Sequence, residues 1–394
     1  MLLGLLLARA GIDVTVLEKH RDFLRDFRGD TVHPSTLQLL HELGLLEAFL
    51  ARPHDKTTEI RATVGGQEAV IADFGRLDTR CGFIAMMPQW EFLDFLRDHA
   101  QAYPGFHLLM NAEATGLVQS HGRVTGVVAH TQAGELRVDA ALVIGADGRR
   151  STLRQAAGLS VRDLGAPIDV LWIRIAKVPA DPTGSGGRIG AGGFLAMIDR
   201  GSYWQCAYVI RKDGFATLQS RGLEAFRSDF AALVPFFADR LARDLASWDA
   251  VKLLSVSVDR LRRWWMPGLL CIGDAAHAMS PIGGVGINLA IQDAVASANL
   301  LWRALADPSA GAEAITPLLA KVQSRRMLPT RVIQAMQVVA QNRVINPVLD
   351  GKRAPSMPLL LKLLNRFPPL RAIPAYAIGI GVRPEHVQSP QARG

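Results

Sequence analysis

The chain has 394 residues, a formal net charge of +8 and 49% hydrophobic residues, enough length for two domains of about 150 residues and enough apolar content for a sizeable core. No apolar run reaches the roughly 18 residues of a membrane-spanning helix, and the basic residues are scattered without a nucleic-acid-binding motif, so a soluble chain that does not bind nucleic acid is expected. Cys81, Cys206 and Cys271 form no C-x-x-C pair, which points to reduced thiols in a cytoplasmic protein and leaves zinc without a ligand set.

In chain order, Leu2 to Arg9 predicts a helix, Ile12 to Glu18 a strand, and Pro34 to Leu43 a helix with proline in its first turn and Gly44 just past its end. Glu59 to Phe74 reads as two strands around Gly65-Gly66, a hairpin signal. Trp90 to Tyr103 has the periodicity of an amphipathic helix, and strands follow at Phe106 to Leu109, Ala114 to Ser120, Val124 to His130 and Leu136 to Ile144. From Leu164 to Arg263 the texture changes to alternating stretches such as Val170 to Ile175 and Tyr203 to Ile210, which predict a separate antiparallel sheet with helices. The glycine-rich stretch Thr183 to Gly193 has no strand leading tightly into it and no helix after it, so a flexible loop is expected there. Ala312 to Arg343 is helical in pattern, with Pro317 and Pro329 expected to break or kink it. The tail from Pro355 to Arg383 is apolar but interrupted by Lys362, Arg366, Arg371 and prolines. Packing against the chain's own core is the expectation for it, and an amphipathic membrane-surface segment the alternative.

The most informative stretch is Leu269 to Ala296, LLCIGDAAHAMSPIGGVGINLAIQDAVA. Leu269 to Ile272 reads as a strand buried on both faces. Gly273 then lets a ligand approach the main chain, and Asp274 offers an acceptor-only carboxylate to sugar hydroxyls. Between Pro281 and Asn288, Gly283, Gly284 and Gly286 leave main-chain N–H groups exposed ahead of a helix from about Ile287 to Ala306, where the positive end of the dipole favours an anion. The plain alternative is an ordinary strand, loop and helix with a capping Asp. His277 is expected to pack or hydrogen-bond and not to bind metal. The sequence has no G-x-S-x-G elbow and no P-loop, so hydrolase and NTPase readings lack a motif.

GDAAHAMSPIGGVGIN resembles the second FAD-binding motif of the class A flavoprotein monooxygenases, the group typified by para-hydroxybenzoate hydroxylase. Ala141 to Arg154, ALVIGADGRRSTLR, resembles that family's Asp-Gly motif, here Asp147 and Gly148, which contacts FAD and is implicated in NAD(P)H binding. IDVTVLEK ends in Glu18 and Lys19, and Glu18 matches the acidic residue that accepts hydrogen bonds from the adenosine ribose in dinucleotide folds. Arg28 resembles the family arginine near the cofactor, and Gln89 in MPQWEFLDFL the glutamine that opens a helix near the flavin.

The resemblance implies an α/β fold: a FAD-binding Rossmann-like (GR2-type) domain over 1–58, 88–163 and 264–306, an inserted antiparallel-sheet substrate domain over 59–87 and 164–263, and a C-terminal helical segment over 307–394. Trp172, Met197, Tyr203, Trp204 and Tyr208 are candidates to line the pocket under that sheet. It further implies FAD as cofactor and NAD(P)H as cosubstrate. The reaction implied is O2-dependent hydroxylation of an electron-rich aromatic or polyketide-like small molecule through a flavin C4a-hydroperoxide, with no side-chain nucleophile. Asp274 and Glu18 are assigned to sugar hydroxyls, the main chain of Gly286, Ile287 and Asn288 to the flavin pyrimidine edge, and Pro281 to the loop beside C4a. Arg28 and Asp147 are assigned to cofactor and nicotinamide docking, with Lys19, Gln89, Gly148, Gly273 and Gly284 as further cofactor contacts. The alternatives are a flavin-dependent reductase or epoxidase of an isoprenoid-type substrate, or a non-catalytic fragment. A flavin halogenase is disfavoured, because Trp264-Trp265-Met266-Pro267 is only a superficial echo of W-x-W-x-I-P.

The family opens with a strand and a GxGxxG turn. This sequence contains no GxGxxG and begins MLLGLLLARAG, like the back half of the helix that follows such a turn. Met1 is therefore expected to be an internal methionine of a longer protein. A secretory signal is not expected, since no basic n-region precedes the leucines.

Overall fold

The leucine-rich Leu2–Arg9 is a helix buried from Leu2 to Ala8 in the computed structural model, which describes residues 1–24, 31–190, 193–351 and 357–392. A helix apolar on every side belongs inside a core. It lies between the parallel strand pair Val14–Glu18 and Phe106–Met110 on one side and the helix Val285–Ala306 on the other. The helices Pro34–Glu42 and Gln89–Ala100 complete this first core.

Leu136 to Ile144, expected as one strand, is two. Gly134–Asp139 joins a three-stranded sheet with Arg123–Thr131 and Glu113–Ser120, whereas Val143–Gly145 pairs with Leu269–Cys271. The chain changes sheets at residues 140–142 without a glycine or proline to mark it, and the corner is held by Arg123 Nη2 donating to the Ala141 carbonyl (2.6 Å).

A second, seven-stranded sheet runs in the order Lys252–Leu254, Ile168–Ala176, Tyr203–Arg211, Gly193–Asp199, Gly186–Gly190, Glu59–Val64, Gln67–Asp73. The expected hairpin supplies its last two strands and turns at Gly65-Gly66. The stretch expected as a flexible loop is corrected here: Gly186–Gly190 is a strand, parallel to Glu59–Val64 and antiparallel to Gly193–Asp199. Glycine has low strand propensity, but ladder hydrogen bonds use the main chain alone, and both neighbouring strands offer partners.

Alternation along the strands sorts their side chains onto two faces. Leu171, Ile173, Leu195, Met197, Trp204, Cys206 and Tyr208 meet Phe226, Phe230 and Phe237 of the covering helices. Trp172, Phe194, Ala196, Ala207 and Val209 share the opposite face, where Ile282 packs against them. Met197, Trp204 and Tyr208 are therefore core residues and do not line a pocket under the sheet. Trp172 is on the face that meets the glycine loop, and Tyr203 lies under the Arg174 guanidinium (3.7 Å).

The prolines also require a correction. Ala312–Ala340 is one 29-residue helix running through Pro317 and Pro329, followed by a π turn at Gln341–Ile345. An interior proline costs about 3 kcal/mol, and tertiary anchors outweigh that cost. Arg326, 1% exposed, donates from Nε to Asp293 Oδ1 (3.0 Å) and from Nη1 to Glu385 Oε1 (3.4 Å). The tail helices Leu359–Arg366 and Ala372–Gly379 pack on the chain itself, against the edge strand Gln67–Asp73. No helix of the described residues is long and apolar enough to cross a membrane. All three cysteines are buried free thiols.

Asp293, on the helix Val285–Ala306, has no exposed surface. Burial alone would raise its carboxyl, but the charges and hydrogen bonds of His277 and Arg326 outweigh burial and hold it low. Replacing Asp293 with Asn keeps the shape and removes the charge opposite Arg326. The expected loss is about 3–5 kcal/mol of stability, the scale of breaking a buried ion pair, read as a lowered urea midpoint at unchanged slope.

Candidate functional site

The strand Leu269–Cys271 is wholly buried, held between Val143–Gly145 and Trp265–Met266. At its carboxyl end Gly273 takes φ +57, and a β-carbon there would sit 3.0 Å from Ala290 Cβ. The Gly273 amide donates to Asp293 Oδ2 (3.1 Å), the oxygen that His277 Nε2 also meets at 2.6 Å. His277 thus hydrogen-bonds within the core, as expected. The same carboxylate fixes the start of the loop, its histidine and the long helix.

The loop then turns through Gly283 and Gly284, both left-handed (φ 78 and 63), and a side chain at Gly284 would come within 2.8 Å of Thr31 Oγ1. Val285–Ala306 begins here, and among the described residues no side chain caps it. Apart from its chain neighbours and the backbone of its own helix, no described atom lies within 4 Å of where a Gly286 β-carbon would be. The helix therefore opens, with its N–H groups uncapped, onto space. Asn288 differs: its side chain is buried, and its Oδ1 accepts from Ser35 Oγ and Thr36 Oγ1 (2.9 Å each).

Behind the loop stands a ladder of glutamines that sequence reading missed. Gln337 accepts from Ser280 N (3.2 Å) and donates to the Ser280 and Ile282 carbonyls (2.9 and 3.0 Å). Gln341 donates to Ser280 Oγ (2.9 Å), and Gln334 to the Asp259 and Ala278 carbonyls (2.7 and 3.1 Å). Their spacing of three and four residues puts them on one helix face. Three glutamines repeating so in the otherwise apolar stretch Val332 to Gln341 was the available signal.

Asp274 stands half-exposed with Arg149 Nη2 at 3.4 Å from its Oδ2. Arg149 was also missed; it follows the Asp-Gly turn directly, beyond the end of Val143–Gly145, the strand that pairs with the one leading to Asp274. Asp147 is engaged locally, accepting from Ser151 Oγ (2.5 Å) and Leu153 N (3.1 Å), and Gly148 is left-handed (φ 83). Arg154 ties the two blocks together by donating to the Ala275 and Arg149 carbonyls (3.3 and 2.5 Å). Glu18 ends its strand and accepts from His20 N (3.0 Å), while Lys19 faces solvent near Glu113 (3.9 Å). Gln89 opens its helix shortly after Met86, which pairs with Thr31 beside the glycine loop. Arg28 lies outside the described residues.

His33 closes the other flank. Its ring is wholly buried, Nδ1 2.8 Å from the Ile378 carbonyl and Nε2 3.2 Å from Thr31 Oγ1, which donates to the Gly284 carbonyl (3.3 Å). Burial pushes the imidazole from its ordinary 6.5 down to about 4, against the opposing pull of the Ile378 and Gly284 carbonyls. The unfolded chain therefore takes up a proton between those values that the folded chain refuses. Stability from this source is complete above the unfolded value and falls as pH drops toward 4. Comparing the protein with His33→Gln by urea unfolding at about pH 7.5 and about pH 5, the stability difference should shift by about 2 kcal/mol in favour of the variant at the lower pH.

A carboxylate placed for hydroxyls, an uncapped helix start and open space at Gly286 together suit a ligand that is polyhydroxylated at one end and carries a polar, electron-accepting edge at the other. The family model described as FAD binding domain matches residues 1–336. 6-Methylpretetramide 4-monooxygenase of Streptomyces rimosus is 33% identical over 374 residues, 94% of this chain and 87% of that protein. Rifampicin monooxygenase of Streptomyces venezuelae is 28% identical over 318 residues, 75% of this chain and 60% of that protein's length. Among solved structures, pqsL, a probable FAD-dependent monooxygenase from Pseudomonas aeruginosa, superposes with a TM-score of 0.73 at 21% identity, covering 89% of this chain and 95% of that one. OxyS anhydrotetracycline hydroxylase from Streptomyces rimosus does so at 0.71 and 22%, covering 97% and 74%. The α/β fold with its second sheet and helical C-terminus is that of these proteins, and the chain belongs to the FAD-binding family as an FAD-dependent monooxygenase.

Proposed function

We propose that the protein hydroxylates an electron-rich, polyketide-like aromatic substrate, with FAD seated at the glycine loop, NAD(P)H as electron donor and O2 as oxidant. The observation that carries this reading is the uncapped start of Val285–Ala306 beside Asp274, facing a sheet whose Trp172 and Phe194 meet Ile282. The substrate class follows the relatives, one named for 6-methylpretetramide and one for rifampicin.

When bound, FAD supplies the redox chemistry, carrying electrons from the nicotinamide to dioxygen. The chain's own part is binding, orientation and exclusion of water. Asp274 accepts hydrogen bonds from sugar-chain hydroxyls and Glu18 from the adenosine ribose. The N–H groups of Gly286, Ile287 and Asn288 donate to the pyrimidine edge, where preorganised donors at a helix start favour negative charge. Gly273 and Gly284 admit the main chain close to the ligand, and Pro281 borders the reacting carbon. Asp147, Gly148, Gln89, Lys19 and Arg28 complete the cofactor and nicotinamide contacts. In this reading 1–58, 88–163 and 264–306 form the cofactor unit, and 59–87 with 164–263 roof the substrate and keep water out. Buried free thiols suit a cytoplasmic setting.

The test uses purified protein with excess FAD, a polycyclic phenol and either NADH or NADPH. The expected result is substrate-stimulated nicotinamide oxidation that consumes O2 and yields a product heavier by one oxygen. A product gaining two hydrogens in the absence of O2 would replace hydroxylation with double-bond reduction. In the same preparation Asp274→Ala should weaken FAD retention by about 1.5–3 kcal/mol, the scale of a lost charge-assisted hydrogen bond. Unchanged retention would remove Asp274 from the cofactor seat.

A further inference from the structure

The tail helix Leu359–Arg366 is docked by one side only. Leu364 is buried, and Asn365 both donates to the Glu68 carbonyl (2.9 Å) and accepts from Val70 N (3.2 Å), occupying the free edge of the seven-stranded sheet. That attachment fixes what faces outward. Leu359, Leu360, Leu363 and Phe367 are 83, 65, 42 and 51% exposed, and Ile373 and Tyr376 of the next helix are 67 and 52% exposed. Residues 360, 363 and 367 recur at helical spacing and form one ridge. Scattered exposed apolar residues need no explanation, but a contiguous ridge on a fixed helix does.

The charge along the segment that carries the ridge has one sign. From Gly351 to Pro384 the sequence contains no Asp or Glu, while Lys362, Arg366, Arg371 and Arg383 are basic. Lys362 and Arg366 are exposed beside the leucines. A second copy of this chain is a poor occupant, since a twofold contact would bring two such cationic helices together.

We propose that this face is a peripheral docking surface for an anionic lipid bilayer. The ridge of Leu359, Leu360, Leu363 and Phe367 enters the boundary between headgroups and acyl chains, and Lys362 and Arg366 reach the lipid phosphates. The surface adjoins the site, because the Ile378 carbonyl of the following helix holds His33 next to the glycine loop. On the reading of the proposed function, an apolar aromatic substrate dissolved in the bilayer is thereby met beside the glycine loop.

Cosedimentation of the FAD-loaded protein with phosphatidylcholine vesicles, and with vesicles of phosphatidylcholine and phosphatidylglycerol in a two-to-one mixture, tests this. Binding to the anionic vesicles should exceed that to the neutral ones by about tenfold and be lost in high salt. Leu360→Glu with Leu363→Glu should weaken it by about tenfold, and Lys362→Glu with Arg366→Glu should abolish the lipid preference. Both variants should keep the nicotinamide oxidation rate of the parent without vesicles, which shows that they fold. No binding of the parent to anionic vesicles, or binding indifferent to both pairs of substitutions, overturns the proposal. A parent dimer that the leucine variant dissolves, with no vesicle binding, assigns the face to a second copy and overturns it equally.

Discussion

A carboxylate shut away from water survives as a charge only if positive or hydrogen-bonding groups surround it, and Asp293 meets that condition with three partners drawn from three places. The Gly273 amide comes from the end of the buried strand, His277 from the loop and Arg326 from the long helix. Arg326 in turn reaches Glu385 in the tail. One buried charge therefore fixes the relative positions of strand end, glycine loop, long helix and C-terminus. Without it the Gly273 amide and the His277 ring would lose this partner inside the core, and Arg326 would keep only its contacts in the tail.

The glycine loop shows the same logic at a finer scale. It has few side chains of its own to hold it, so its main chain is held from outside. Gln334 and Gln337 take up carbonyls and an amide from Asp259 to Ile282, Gln341 holds the Ser280 hydroxyl, and Thr31 with His33 grips Gly284 from the other flank. The front of the loop is left for a ligand, with uncapped N–H groups at the start of Val285–Ala306. Donors fixed before the ligand arrives need no reorganisation when charge develops near them, which is the condition for electrostatic stabilisation. The long helix tolerates two internal prolines because these contacts, and not its own propensity, specify its course.

The legible parts of this fold were those whose determinants are adjacent in sequence. Leu269 to Ala306 carries strand, turn, glycines and helix in one run, so these elements could be read directly, as could the helix Leu2–Arg9. What escaped reading depends on partners far away in the chain. Gly186–Gly190 is a strand only because Glu59–Val64 and Gly193–Asp199 flank it. Met197, Trp204 and Tyr208 were eligible for the pocket until alternation and the helices bearing Phe226 and Phe237 placed them on the other face. The glutamines act at the loop from positions that carry no motif, and Arg149, although inside the Asp-Gly block, shows its pairing with Asp274 only once the two strands lie side by side.

The central claim is that the open space at Gly286 is where the flavin ring edge lies. Gly286→Leu tests it most directly, because a β-carbon there meets open space beyond its own helix and leucine is a better helix former than glycine. The account predicts that the flavin-free variant melts at or above the temperature of the parent while its FAD affinity falls by about tenfold or more, the cost of forcing a side chain into a filled site. A variant equally stable that binds FAD as tightly as the parent would contradict it.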